Sequence, residues 1–236
     1  MDVLGKKLSE KTEAAYRDIT QGFKYPIKFL KMDPANSEDV ARPVAMDTGK
    51  KEFIIKLDPG LSKKLFENAL IRDVIYCQQM NEDAPQLLPL KRNDQDAEKI
   101  AMMISSVVMD IDVENKLKKY DMHLDDVDTM RMADLYEFLK SGQAQLNPKF
   151  YHVFTGLQIA LLYFTTSNKE NVDQIIETFY LSDPEATDEI DKYVDILKNY
   201  GVDDNRAMMR SMRRLAVACG MKDRTQIIYE GKVTRV

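Results

Sequence analysis

The sequence predicts an α+β fold that is predominantly helical, with a small antiparallel sheet near the N-terminus and a hairpin at the C-terminus. Three observations carry this expectation. The run EFIIKL at 52–57 is rich in β-branched and apolar residues and follows the turn sequence Asp47-Thr48-Gly49. The closing segment TQIIYEGKVTRV divides into two β-forming runs about Glu230-Gly231. Most of the remaining chain spaces its apolar residues at helical period.

The elements follow in order. Residues 4–20 read as a first helix, with Leu4, Leu8, Ala15 and Ile19 on a rough helical period. YPIKFLKM is a strand opened by Pro26, NSEDVARP a loop, and VAMDTGKKEFIIKL a hairpin, so the N-terminal sheet spans residues 26–57. Asp58-Pro59-Gly60 stops it, and a buried central helix is expected over residues 62–80. NEDAPQLLPLKRNDQD, with Pro85 and Pro89, reads as a loop. QDAEKIAMMISSVVMDIDVENKLKKY reads as a helix with a break near Asp110–Asp112. LDDVDTMRMADLYEFLKSG reads as another helix, ending near Gly142. Asn147-Pro148 opens an apolar helix, because proline suits the first helical position. The loop 141–147 is the expected boundary. It leaves an α+β domain at 1–143 and a helical domain at 144–236 that ends in the hairpin.

Composition narrows the function. The chain has 236 residues, 44% of them hydrophobic and 31% charged, which is enough to build a core. A net charge of -5 makes nucleic acid a poorer partner than protein. Cys77 and Cys219 stand in apolar helical contexts and read as buried thiols. No apolar run reaches the ~20 residues a membrane span needs, and no leader pattern opens the chain, so a soluble, intracellular, cytoplasmic protein is expected. Only His123 and His152 are present, with no Cys or second His at ligand spacing, so no metal site and no cofactor are expected. Glycine-rich phosphate loops and nucleophile elbows are absent from the sequence.

The helix over 62–80 contains LFENALIRDVIYCQQM. At about 100° per residue, Arg72 and Tyr76 project on one side and Asp73 a quarter-turn away, with apolar residues around the rest. A charge in such a helix needs a partner. The order of a short helix, a small strand set with an edge hairpin, then a buried helix resembles that of minimal zinc metallopeptidases over about residues 1–120. In that family the buried helix carries His-Glu-x-x-His. The resemblance implies that Arg72 takes the first His, Asp73 the Glu and Tyr76 the second His. It also implies that SSVVMDIDVENKL supplies the third position through Asp110 or Asp112. Arginine is a permanent cation and cannot ligate a metal, so the resemblance implies a scaffold whose metal chemistry is gone. Arg72 is then expected to pair with Asp73, Asp110 or Asp112.

A second feature is DDNRAMMRSMRRLAVACGMK, capped by Asp203 or Asp204 and stopped at Gly220. Arg206, Arg210 and Arg213 fall on one face with Arg214 beside them, opposite Met208, Met212, Leu215 and Cys219. Residues 170–205 before it are acidic. The arginine stripe suits an anionic partner such as an acidic protein surface or, less well, a nucleic-acid backbone. The C-terminal hairpin offers an edge for homo-oligomers. The expected function is therefore non-catalytic binding or regulation through macromolecular contact. The alternative is an enzyme with an Arg/Asp pocket of Arg72, Asp73 and Asp110.

Overall fold

The computed structural model describes residues 1–33, 35–36, 43–140, 148–182 and 184–236. The expected loop at NSEDVARP falls largely outside these residues, and the expected domain boundary at 141–147 falls wholly outside them. The chain forms two compact units, one of Met1–Ala84 with Val113–His123 and one of Pro85–Asp112 with Leu124–Val236. Each unit has its own hydrophobic core. The fold is α+β and mostly helical, as expected.

The first unit opens with a two-stranded hairpin of β1 (Asp2–Val3) and β2 (Lys6–Lys7). Leu4 and Gly5 turn it with φ of 53° and 81°, a left-handed backbone that ends any helix. Helix α1 therefore spans Glu10–Thr20 and not residues 4–20, with Ser9 as its N-cap. Leu8 still enters the core, but from the hairpin side. Strand β5 (Glu52–Leu57) is central, pairing antiparallel with β4 (Val44–Asp47) and parallel with β3 (Ile27–Lys31). Its alternation buries Phe53, Ile55 and Leu57 on one face. Helix α2 (Lys63–Asn81), capped by Ser62, packs on that sheet and buries Phe66, Leu70, Ile71, Val74, Ile75 and Cys77 completely. The central helix of the sequence reading is thus present within a residue at each end.

The second unit begins with β6 (Gln86–Pro89), which pairs antiparallel with β7 (Thr225–Tyr229). Pro85 and Pro89 predict a loop here, and the structure makes it a strand instead. Pro89 is tolerated at the end of an edge strand, where its missing N–H matters least, and Leu87 is buried. Strand β8 (Lys232–Arg235) completes the expected C-terminal hairpin, with Glu230 and Gly231 at φ of 50° and 69° in the turn. Helix α3 (Gln95–Lys119) runs unbroken through Asp110–Asp112, where a break was expected. No proline or glycine interrupts it there. The remaining helices are α4 (Asp125–Lys140), α5 (Pro148–Thr165), α6 (Lys169–Ser182), α7 (Pro184–Tyr200) and α8 (Asn205–Ala218). Helix α5 packs on α7 at a close approach: a Cβ at Gly156 would meet Tyr193 Cε2 at 2.8 Å. Among the described residues no helix is long and apolar enough to cross a membrane.

Candidate functional site

Two places bring together the residues singled out in the sequence. The first is buried in the first unit. Arg72 on α2 places its guanidinium 2.6 Å from Glu114 Oε1, and the Glu114 side chain is 1% exposed. The other carboxylate oxygen of Glu114 lies 3.0 Å from His123 Nδ1. An ionised carboxylate only accepts hydrogen bonds, so Nδ1 carries the hydrogen. One buried acid is therefore held between a cation and an imidazole. This arrangement offsets the desolvation that an isolated buried carboxylate would suffer.

Glu114 and His123 were not candidates in the sequence. A signal for Glu114 was nevertheless present. It continues the buried row Ile104, Val107, Ile111 of α3 at helical spacing, where an acid among apolar residues demands a partner. Asp110 and Asp112 are the acids expected to answer Arg72; Asp110 accepts from Ser106 Oγ at 3.5 Å, and the ion pair at 2.6 Å is made by Glu114. Asp73 is buried beside Arg72 in sequence but faces another way. No hydrogen bond or ion pair within 4 Å reaches it among the described residues. Burial pushes its carboxyl up to about 7, against the pull of the Arg72 charge. One turn on, burial and then the Asp73 charge push the Cys77 thiol up as well, so it is an inert core thiol and not a nucleophile. Tyr76 is half-buried.

This donor set does not fit a divalent metal. The position that would hold the first ligand carries a permanent cation paired with Glu114. The only carboxylate at the would-be general-base position lies on a different side of the helix. What the arrangement does chemically is lock α2 to the last turns of α3 through a charge pair whose acid is buried.

The second place is the outer face of α8. Asp204 caps the helix, accepting the Ala207 N–H at 2.7 Å; this bond first, then the Arg206 N–H and the charges of Arg210 and Arg206, hold its carboxyl below the usual range. Ala207, Met208, Ser211, Met212, Leu215 and Ala216 face the core. That fixes the rotation of the helix and turns Arg206, Arg210, Arg213 and Arg214 outward, all exposed. The Arg214 guanidinium lies 5.4 Å from the Tyr200 ring centre, a cation–π contact that leaves the other three arginines as the outer row. Among the described residues no carboxylate comes within ion-pairing distance of that row. Between α7 and α8 lies a groove of about 700 Å³ lined by Asp188, Asp191 and Asp195, by Lys192 and Arg214, and by the apolar Ile196, Val217 and Ala218.

No family model, no curated protein and no solved structure matches the chain.

Proposed function

We propose that the chain is a non-catalytic binding protein that acts through macromolecular contact at the outer face of α8. The observation that carries this reading is the row Arg206, Arg210 and Arg213: three permanent cations, exposed, with no carboxylate in ion-pairing range among the described residues. Guanidinium groups so placed favour carboxylates presented in a fixed geometry. The chain as a whole carries a net charge of -5, which disfavours a long polyanion and favours a protein surface with a local acidic patch.

The first unit is read as a metallopeptidase-like scaffold that has lost its metal chemistry. The Arg72–Glu114 pair supports this, because the guanidinium supplies the positive charge that a metal would have supplied.

The test is capture of a protein from host extract at low salt by the wild-type chain and by the double variant Arg210→Glu/Arg213→Glu. The wild type should retain a partner that the variant loses. Equal capture by both would reject α8 as the contact face. Metal analysis of the purified protein addresses the scaffold separately: stoichiometric zinc lost on changing Asp73 would overturn it.

A further inference from the structure

Helix α7 turns Asp188, Asp191 and Asp195 to solvent, and α8 turns Arg206, Arg210 and Arg213 to solvent. The two rows have the same spacing when read in opposite directions. Counting back from Asp195, the acids fall at steps 0, 4 and 7; counting forward from Arg206, so do the arginines. At a rise of ~1.5 Å per residue, each row places its charges at roughly 0, 6 and 10.5 Å along its helix. An α7 laid antiparallel on an α8 therefore brings Asp195 to Arg206, Asp191 to Arg210 and Asp188 to Arg213. Within the chain the described residues form no ion pair between these rows.

We infer that the partner of the α8 face is a second copy of this chain, docked so that each copy's acid row meets the other's arginine row. The inference rests on the reading of α8 as a contact face and names what covers it. A two-fold axis makes each contact twice, since the rows lie on two helices that pack on each other within one unit. The groove that borders the acid row, lined also by Lys192 and Arg214, gives this patch an apolar seam. Val217 is 43% exposed there, with Ile196 and Ala218 beside it, and a second copy would remove that seam from water. The edge strand β8 is the poorer route to a dimer. Fully overlapped antiparallel self-pairing of Lys232–Arg235 sets Lys232 opposite Arg235 of the other copy, a like-charge cross-strand pair.

Sedimentation velocity of the full chain across protein concentration tests the inference. The wild type should self-associate at low salt and revert to monomer as salt rises, because exposed pairs are screened. The triple variant Arg206→Glu/Arg210→Glu/Arg213→Glu and the triple variant Asp188→Arg/Asp191→Arg/Asp195→Arg should each self-associate about tenfold more weakly or not at all. Mixed at equal concentration, the two variants should form a one-to-one heterodimer, because both contacts regain opposite charges. Misfolded variants would not recover, so the rescue separates lost contact from lost fold. A wild type that stays monomeric yet binds immobilised polyglutamate through Arg210 and Arg213 would overturn the second copy and leave α8 a contact face. A monomer that binds neither would overturn both. Unaltered dimers in both triple variants would place the interface elsewhere and overturn the inference.

Discussion

Arg72 shows what a single charge in an apolar helix imposes. Its ion pair with Glu114 is buried, and Glu114 has His123 on its other oxygen. Removing one partner of such a pair strands the other charge, which typically costs about 3–5 kcal/mol. Arg72→Ala should therefore lower stability by that order in urea unfolding, while Arg72→Met/Glu114→Met should cost distinctly less. Equal losses would mean that packing, not charge, dominates the site. Asp73 makes a prediction about pH. Its folded carboxyl is raised from 3.8 to about 7, so the folded state binds the proton more tightly than the unfolded chain. Stability contributed by this group is full below pH ~4 and falls as pH rises to ~7, by an amount on the order of 4 kcal/mol at most. Relative to wild type, Asp73→Asn should gain stability across that window and hold the gain at pH 8. A constant difference between the two from pH 4 to pH 8 would refute the raised carboxyl. That Arg72 and Asp73 needed explanation was legible in LFENALIRDVIYCQQM. That Glu114 answers Arg72 was not, because the pairing crosses 42 positions of sequence.

At the scale of elements, the sequence placed helices α2 and α8 and both hairpins well, because caps, turn residues and periodicity all agreed there. It failed where a local signal was overridden. Residues 4–8 have helical spacing, yet Leu4 and Gly5 turn back and the helix starts at Ser9. A residue far along the chain secures that start. Glu67 of α2 accepts from the Ser9 N–H at 2.7 Å, from Ser9 Oγ at 2.9 Å and from Thr12 Oγ1 at 2.8 Å. Burial alone would raise its carboxyl, but these bonds outweigh burial and hold it below the usual range. Hydrogen bonds to a charged acceptor contribute roughly 1.5–3 kcal/mol. Glu67→Ala should cost that order of stability and expose the first turn of α1 to faster amide exchange. Unchanged exchange in residues 10–14 would show that Ser9 alone caps the helix. In the same way β6 pairs with β7 across most of the chain, a partner that its own proline-flanked sequence does not announce.

At the scale of the whole molecule, the two units carry separate cores, and their boundaries interleave along the chain. Each should therefore lose stability on its own account. Gly156→Ala forces a methyl against the Tyr193 ring in the second unit, a kind of overpacking that costs about 1–3 kcal/mol. Its amide exchange should rise across residues 85–112 and 148–236 and stay near wild type in residues 1–84. Glu67→Ala should do the reverse. A uniform rise in either variant would mean that the two cores unfold as one.

The sequence by itself determined the fold class, the two buried thiols, the helix that runs through Arg72 and the arginine face of α8. All of these follow from periodicity, composition and caps within a few turns of chain. Only the tertiary structure decided which acid holds Arg72, that Glu67 closes the start of α1, that β6 belongs to the C-terminal sheet, and that the arginine row lacks an ion-pair partner among the described residues. The physical reason is the same in each case. Local preference acts through neighbours three or four residues away, whereas the partner of a charge or a strand edge is fixed by how distant elements pack.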